Sequence, residues 1–477
     1  MAVAPNENVL SARYATPAIN GIFSEYGSSL KERELWVAVL EAQRDLGFPV
    51  PEGTIDAYKR ALPDINLDAV AEREKKLRHD IKAKLEEFNY VAGVKDELLH
   101  LGMTSRDLSD NIEQVQIRDA SKAIFGKYVS VLRHLVDAAG KYQPLMFTAR
   151  THHQAAQATT LGRRFAMHAE ELYTHLADFE SAIDDYPLRG IKGATGTMQD
   201  MINVLGSREK AEELDRRIAS YLGFKNVLSA TGQVYPRSLD YKMTGHLALL
   251  ASACESFGEN MRLMCGYELM TEGFKEGQVG STAMPHKMNT RNSERVCGLS
   301  KLVKMYNDGA SRISGDQWEE GDVSCSSPRR IIMPDIFYAS DGVCETMLTV
   351  LNEMGAYPRM IQAELDKYMP FLGSTELLIA AAKKGIGRET AHKAVKTLAV
   401  KEALRMRESG SSENRLLEQL SKEPGFPLSG DEIKAIFSDR ARFVGSAMEQ
   451  VDYVKKKADT IISRYPKEAA YEPQPIL

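Results

Sequence analysis

The sequence predicts an all-α protein built around a central bundle of long helices. Four stretches place apolar side chains at alternating steps of three and four residues, which is the spacing of helices that pack nearly parallel to one another. These stretches cover residues 117–138, 161–183, 243–264 and 336–354, and each is longer than five helical turns. No series of alternating polar and apolar residues predicts a competing β-sheet.

Helix lengths and helix breakers predict three domains. We expect residues 1–110 to form an N-terminal helical domain, in which Leu30–Leu46 has an amphipathic pattern. Residues 111–357 form the central long-helix bundle, which also carries a long polar segment over 271–295. We expect residues 358–477 to form a C-terminal domain of shorter helices. Glycine and proline breakers interrupt that domain near 385–387, 410–412 and 424–430.

Composition and charge narrow the possible functions. The hydrophobic content of 43% is that of a globular chain, and no apolar run approaches the roughly 20 residues that span a bilayer. The net charge of -5 argues against a nucleic-acid partner, so local basic side chains would have to hold an anionic substrate. The five scattered cysteines form no metal-ligand pattern, and the N-terminus carries no secretory signal. We therefore expect a cytoplasmic protein with no metal site and no membrane partner.

The segment over 271–295 is the richest in reactive side chains. Three glycines make it pliable, and Pro285 prevents a regular helix. A loop of this length in a compact domain is usually a lid, a binding loop or disordered, and its composition argues against disorder. Its polar side chains are Ser281, Thr282, His286, Lys287, Asn289, Glu294 and Arg295. Such a set can grip a carboxylate and move a proton beside it, although residue types alone fit a polar surface loop equally well.

Further candidate residues precede the long helices. They are Arg78, His79, Asp80, His100, Thr104 and Ser105. Thr104 or Ser105 can cap a helix whose first amides would hold an anion. His152 and His153 precede another long helix, and two adjacent histidines cannot both face one site on a helix. Taken alone, a histidine at this place is more often structural than catalytic.

One string of residues identifies a family. The sequence G-S-T-A-M-P-H-K-M-N at 280–289 resembles the signature of the fumarase/aspartase superfamily, and its A-M-P-H-K part is most similar to the adenylosuccinate lyases. Further matches to that family stand in the family's order over roughly the first 340 residues. They are S-A-R-Y-A-T at 11–16, T-H-H-Q at 151–154, R-G-I-K-G-A-T-G-T at 189–197 and T-G-Q-V-Y at 231–235. The second of these matches selects His152 over His153, with Ala155 where proline is usual.

The resemblance implies a three-domain fumarase/aspartase-like fold and a reaction. Family members eliminate fumarate in an anti β-elimination from adenylosuccinate, giving AMP, and from succinyl-aminoimidazole carboxamide ribotide, two steps of purine biosynthesis. By resemblance, Ser281 is the base, His152 is the acid, and Lys287 and Asn289 bind and stabilise the substrate carboxylate. Glu294 would pair with His152, and His79 would also act in catalysis. The implied substrate-binding residues are Arg13, Tyr14, Arg78, His79, Asp80, His100, Thr104, Ser105, Gln233, Ser281, Thr282, Lys287, Asn289, Arg295, Ser326 and Arg330.

The resemblance also implies the assembly and the cofactor requirement. No metal or organic cofactor is expected. Helices with such long apolar seams favour association with further copies, and the family implies a homotetramer whose active sites are shared between subunits. One departure concerns Gly321, where many family members have an arginine; Arg329 is the candidate to replace that contact.

Two alternatives stay open on the sequence. One is another lyase of the superfamily or a carboxymuconate cycloisomerase, whose signature is also close to M-P-H-K. Such an enzyme would leave Arg13, Tyr14 and Arg330 without a nucleotide phosphate to bind. The other is a helical scaffold without activity, for which loss of Ser281, His152 or Lys287 would be expected; all three are present.

Overall fold

The computed structural model describes residues 7–273, 284 and 286–476, and most of them are helical. The N-terminal part contains α1 (Val9–Arg13), α2 (Pro17–Phe23), α3 (Glu25–Asp45), α4 (Thr54–Arg60), α5 (Leu67–Leu77) and α6 (Asp80–Ala92). The central part contains α7 (Ser105–Lys141), β1 (Met146–Thr151), β2 (Gln154–Thr160), α8 (Leu161–Asp184), α9 (Gln199–Leu205), α10 (Arg208–Tyr221), α11 (Ser238–Gly266), β3 (Met270–Thr271), α12 (Arg291–Ile313), α13 (Ser326–Glu353) and β4 (Gly355–Ala356). The C-terminal part contains α14 (Pro358–Leu372), α15 (Ser374–Lys383), α16 (Arg388–Ser409), α17 (Leu416–Ser421), α18 (Gly430–Ser438), a 3-10 helix (Arg440–Val444), α19 (Ala447–Ile462) and α20 (Pro466–Ala469).

Five long helices form a closed bundle at the centre. α7 packs against α8, α8 against α11, α11 against α12, α12 against α13, and α13 returns to α7. The apolar positions of the four predicted seams are buried, which confirms the long-helix prediction. α13 is buried over more of its surface than the predicted apolar seam, since Asp341 and Glu345 are fully buried as well. Within the described ranges, no helix combines the length and the apolarity that a membrane crossing requires.

α12, the fifth bundle helix, begins inside the segment that the sequence predicts to be a loop. Its first two turns contain Glu294 and Arg295, so these two residues are helical. The carboxylate of Glu272 explains this start, because it accepts the backbone N–H of Asn292 and of Ser293, each at 2.9 Å. A carboxylate at this position satisfies amides that have no partner within the helix and complements the helix dipole.

A β-hairpin that the sequence does not predict joins α7 to α8. β1 and β2 pair antiparallel, with Thr151 opposite Gln154, so only His152 and His153 form the turn. The strands consist largely of threonine, alanine and glutamine, and therefore lack the apolar alternation of a half-buried strand. The hairpin packs against α14, which holds it at one end of the bundle.

The C-terminal helices divide between two locations. α14 to α18 contribute to two small cores of their own, around Leu365 and Met369 in one and Leu377 and Leu416 in the other. α19 packs against α7 and α8, and α20 packs against α7. Part of the predicted C-terminal domain thus belongs to the surface of the central bundle. The division at residues 110 and 357 stays a prediction.

Candidate active site

The first group of predicted residues lies where α7 begins, and Asp107 organises this point. The Asp107 carboxylate accepts the backbone N–H of Thr104 at 2.8 Å and that of Gly193 at 3.0 Å. The guanidinium of Arg189, which is fully buried, donates to the same carboxylate at 2.5 Å. The start of the helix, with Thr104 and Ser105, is therefore fixed against the turn that follows Arg189.

His100 precedes this helix start and is available as a hydrogen-bond donor. Its φ of +68° is unusual for a residue with a side chain, and the indole N–H of Trp36 donates to His100 Nδ1 at 3.0 Å. Because Nδ1 accepts a hydrogen bond, the proton of the neutral ring lies on Nε2. Burial lowers the pKa of His100, and the charge of Asp107 opposes this in part. At neutral pH the ring can donate through Nε2.

Arg78 and His79 form the exposed turn between α5 and α6, and Asp80 is the exposed first residue of α6. Arg78 ends α5 with a φ of +53°, and His79 caps α6 by accepting the backbone N–H of Lys82 at Nδ1, at 3.3 Å. The charge of His79 contributes to the lowered pKa of His100, so the two rings are close enough to interact. His79 therefore lies near His100 and the start of α7, with Arg78 and Asp80 next to it in the chain.

Gln233 lies beside Gly321, the position where many family members have an arginine. The backbone N–H of Gln233 donates to the carbonyl of Glu320 at 2.5 Å. A Cβ on Gly321 would lie 2.8 Å from the Cβ of Gln233, so glycine permits this close approach. An arginine at position 321 would require the two segments to move apart.

Arg329, the sequence-based candidate to replace the missing arginine, is held by other side chains of the protein, and its role stays a prediction. Its side chain is only 4% exposed, and its Nε donates to Asp240 at 2.7 Å. The two remaining nitrogens donate to the Glu113 carboxylate and the Tyr235 hydroxyl. Burial opposes the charge of Arg329, but Asp240 and Glu113 raise its pKa well above the ordinary value. These three contacts fix the guanidinium in place, and Arg329 lines the same cavity as Ser326 and Arg330.

Ser326 and Arg330 lie at the start of α13 and line a cavity together with Glu113 and Gln116 of α7. Arg330 is exposed, unlike its neighbour Arg329. The structure thus gathers a set of predicted residues at the end of the bundle where α7, α11 and α13 begin. The set consists of Arg78, His79, Asp80, His100, Thr104, Ser105, Gln233, Ser326 and Arg330.

Arg13 and Tyr14 lie at a different place, so the predicted phosphate-binding residues do not converge within one chain. Tyr14 packs on Gly342, where a Cβ would lie 3.2 Å from the Tyr14 carbonyl oxygen. The helix between residues 330 and 342 rises about 18 Å, which separates Tyr14 from Arg330. The Tyr14 ring instead faces Arg295, whose guanidinium carbon is 5.9 Å from the ring centre.

The signature segment is described only in part. Ser281 and Thr282, the predicted base and its neighbour, lie outside the described residues. His286 and Asn289 line a cavity next to the strand β3, near the end of α11. The side chain of Lys287 is exposed, and its backbone N–H donates to the Met284 carbonyl at 3.1 Å.

His152 stands at the tip of the hairpin in a strained backbone conformation. His152 and His153 have φ of +48° and +63°, the pattern of a type I′ turn that favours asparagine and glycine. Strain of this kind is kept mostly at functional sites. Both side chains are exposed, and the neighbouring Arg150 stacks on Tyr267 at the end of α11, 4.5 Å from the ring centre. The tip therefore lies at the same end of the bundle as the signature segment.

Glu294, the predicted partner of His152, does not contact it in this chain. Glu294 is exposed on α12, and the described residues include no hydrogen bond or ion pair between the two side chains. Their pairing stays a prediction.

The two groups of residues are too far apart to share a substrate in one chain. α11 begins close to Gln233 and ends beside the hairpin and the signature segment. Its 29 residues rise about 43 Å. A molecule of nucleotide size cannot contact both ends of this helix.

Comparison with known proteins identifies the family. Residues 15–304 match a family model described as lyase, and residues 370–454 match one described as adenylosuccinate lyase C-terminus. The adenylosuccinate lyase of Saccharomyces cerevisiae is 31% identical over 463 residues, which cover 96% of each chain. The chain belongs to the adenylosuccinate lyase family. The adenylosuccinate lyase of Schizosaccharomyces pombe is 30% identical, over 96% of this chain and 95% of its own.

Solved structures share the fold of this family member. The 3-carboxy-cis,cis-muconate lactonizing enzyme from Pseudomonas putida has a TM-score of 0.83 at 21% identity, covering 96% of this chain and 100% of its own. The fumarate lyase from Mesorhizobium sp. BNC1 has a TM-score of 0.78 at 20% identity, covering 93% and 98%. These similarities confirm the predicted all-α, fumarase/aspartase-like fold.

Two carboxylates that position candidate site residues are absent from the sequence-based prediction. Asp107 could have been found, because it stands three residues after Thr104, the spacing at which an acidic side chain reaches back to the N-cap. Glu272 had no such signal, because its partner Ser293 lies 21 residues away in the sequence. Among the residues that the structure describes, no group of three or more His, Cys, Asp or Glu side chains could hold a metal ion.

Proposed function

We propose that this chain, a lyase by family, cleaves adenylosuccinate to AMP and fumarate by anti β-elimination. We propose that it also releases fumarate from succinyl-aminoimidazole carboxamide ribotide. The observation that carries the proposal is the similarity to adenylosuccinate lyases over 96% of the chain, together with the match to their C-terminal region. The muconate enzyme shares only the fold at 21% identity, so it does not favour the alternative reaction.

The proposed chemistry divides between a base and an acid. Ser281 removes a proton next to a carboxylate, which is weakly acidic, so the carbanion needs cations and amide donors around it. Lys287 and Asn289 supply these within the same segment. His152 protonates the leaving nitrogen, and its exposed position at the hairpin tip leaves the imidazole free to reach a substrate. Glu294 of another subunit would orient the ring.

The start of α7 is proposed to bind an anionic part of the substrate. Its first amides carry the positive end of a 37-residue helix, and Thr104 and Ser105 add hydroxyl groups there. His100 donates through Nε2, and Gln233 offers a side-chain amide at the same end of the bundle. His79 stands near enough to contribute a second imidazole to catalysis or binding.

We infer that the protein is a cytoplasmic homotetramer whose active sites combine residues of different subunits. The separation of the two groups along α11 supports this, because the end of one copy can meet the start of another only by association. Exposed apolar side chains on α11 and α12 offer a surface for it, such as Leu249 at 46% and Met305 at 67% exposed. A monomeric mass by light scattering at micromolar concentration would contradict the inference.

The decisive experiment is fumarate release from purified protein with adenylosuccinate, argininosuccinate and malate in parallel. We expect release from adenylosuccinate alone. A fourth assay with 3-carboxy-cis,cis-muconate, followed by its ultraviolet absorbance, addresses the cycloisomerase alternative. Activity on any other substrate but not on adenylosuccinate would reject the proposal, and would leave the signature as a mark of the superfamily only.

A further inference from the structure

One turn of α13 packs against the chain segment that follows Arg13 and fixes its position. Gly342 lets the segment approach closely, since a Cβ there would lie 2.9 Å from the Tyr14 Cβ and 3.2 Å from the Tyr14 carbonyl oxygen. Next to it, the Asp341 carboxylate accepts both the backbone N–H and the hydroxyl of Thr16, each at 2.7 Å. The path of the chain two residues after Tyr14 is therefore set by a side chain of α13.

Asp341 belongs to a buried cluster of three charges. The ammonium of Lys127 contacts Asp341, lies 2.7 Å from the Glu345 carboxylate and donates to the Thr16 hydroxyl at 3.1 Å. Both carboxylates are fully buried and Lys127 is 7% exposed. Buried charges are stable only when they are paired and hydrogen-bonded, and one ammonium cannot satisfy two carboxylates.

The C-terminal segment supplies the missing donors. The hydroxyl of Tyr471 donates to Glu345 at 2.5 Å, and the backbone N–H of Gln474 donates to the other oxygen of Glu345 at 2.6 Å. The hydroxyl of Ser130 on α7 holds the segment in place by donating to the Tyr471 carbonyl at 2.7 Å. The two ends of the chain are thus joined through Glu345, Lys127 and Asp341.

We propose that Asp341 and Glu345 are positioning residues for the Arg13–Tyr14 pair, and that the segment 471–474 completes their arrangement. The inference rests on the proposed function, because it takes Arg13 and Tyr14 as the residues that bind the substrate phosphate. Without the Tyr471 hydroxyl, the Glu345 carboxylate has one hydrogen-bond donor fewer and attracts the Lys127 ammonium more strongly. The ammonium then leaves Asp341 and the Thr16 hydroxyl, and the preceding pair loses its fixed position.

The test compares adenylosuccinate with succinyladenosine, which is the same molecule without the phosphate. Tyr471→Phe removes the donor to Glu345. Asp341→Asn removes the negative charge that pairs with Lys127 and one of the two oxygens that accept from Thr16 and Lys127. We expect each variant to raise KM for adenylosuccinate about tenfold, the effect of losing one hydrogen bond to a charged group. We expect kcat to change less than about twofold and KM for succinyladenosine to stay at the wild-type value. The ratio of KM for succinyladenosine to KM for adenylosuccinate, which measures the preference for the phosphorylated substrate, therefore falls.

Tyr465→Phe is the matched control. It removes a tyrosine hydroxyl that donates to the Glu180 carboxylate at 2.7 Å, in the same part of the chain but away from the cluster. We expect wild-type KM for both substrates. Should the Asp341 variant fail to fold, Ser130→Ala loosens the C-terminal segment from outside the cluster and should shrink the same preference.

Two outcomes separate a failure of this inference from a failure of the proposed function. A lower Tm with an unchanged ratio of the two KM values in Tyr471→Phe and Ser130→Ala would show a merely structural cluster and overturn this inference alone. A folded wild-type protein that does not cleave adenylosuccinate would refute the proposed function itself, and the inference with it.

Discussion

His152 and His153 are the two residues of one turn, yet only His152 is proposed to protonate the leaving group. Asparagine tolerates the left-handed conformation of both, so the hairpin should survive His152→Asn and His153→Asn equally. We expect His152→Asn to lower kcat at least about 100-fold, the contribution of a general acid. His153→Asn should stay within a few-fold of wild type.

Steady-state fumarate release, with Tm as the check on folding, decides between the two histidines. An equal loss of activity in both variants at wild-type Tm would mean that the turn, and not the His152 imidazole, matters for turnover. A selective loss in His153→Asn would reassign the acid to His153.

His168 is a buried side chain whose protonation makes the stability of the fold depend on pH. It is 2% exposed between α8 and α11, its ring lies 5.7 Å from that of Phe257, and within the described chain neither ring nitrogen has a hydrogen-bond partner. Burial, followed by the charge of Arg164, lowers its pKa to about 4. The unfolded chain, with a histidine pKa of about 6.5, therefore binds the proton first as the pH falls. Stability is lost between pH 6.5 and 4, by up to about 1.4 kcal/mol per pH unit.

Replacing His168 with leucine, which has a similar size, should remove this loss. We expect His168→Leu to be more stable than wild type, with an advantage that grows by about 2 kcal/mol between pH 7 and pH 5. Urea unfolding at the two pH values measures the difference directly. An advantage that does not change with pH would show that His168 is not the group that titrates.

At the scale of a structural element, Glu272 links the two ends of the segment over 271–295, which contains the signature. Its carboxylate accepts two backbone N–H groups at the start of α12 and the Ser293 hydroxyl at 2.8 Å. The amide nitrogen in Glu272→Gln cannot accept, so at least one donor loses its partner, at a cost of about 1–3 kcal/mol. We expect kcat to fall as well, because Lys287 and Asn289 lie just before this helix start.

Glu402→Gln is the control for this experiment. Glu402 is another fully buried carboxylate that accepts a backbone N–H, that of Arg415 at 2.7 Å, but it lies among the C-terminal helices. Both variants should lose stability in urea unfolding, while only Glu272→Gln should lose kcat. An equal kcat in the two variants would leave Glu272 with a purely structural role.

The elements that were predictable are those whose signal is local. The seams of α7, α8, α11 and α13 repeat along the chain, and the family motifs are short strings, so both could be read from the sequence. The hairpin has no apolar alternation, and the start of α12 depends on the distant Glu272, so neither could. The engagement of Arg329 with Asp240 likewise joins residues 89 positions apart, which only the fold brings together.

At the scale of the whole molecule, the arrangement of residues supports the proposed assembly of several chains. The start of α7 and the hairpin tip lie at opposite ends of the bundle, and α11 spans about 43 Å between them. His152, the proposed acid, is exposed in one chain, whereas the proposed chemistry calls for a site that excludes water. An antiparallel pairing of copies would bring the two ends together and cover the hairpin tip.

Mixing two inactive variants tests whether the His152 and Ser281 of one site come from different subunits. If a site takes His152 and Ser281 from different subunits, an equal random mixture of His152→Asn and Ser281→Ala leaves about a quarter of the sites with both native residues. Up to about a quarter of wild-type activity should return after subunit exchange. Ser281→Ala mixed with Lys287→Ala is the control: both belong to one segment of one subunit, so every site keeps a defect and activity stays absent. Recovery in neither mixture, with exchange verified by the mass of tagged hybrids, would place His152 and Ser281 on the same chain.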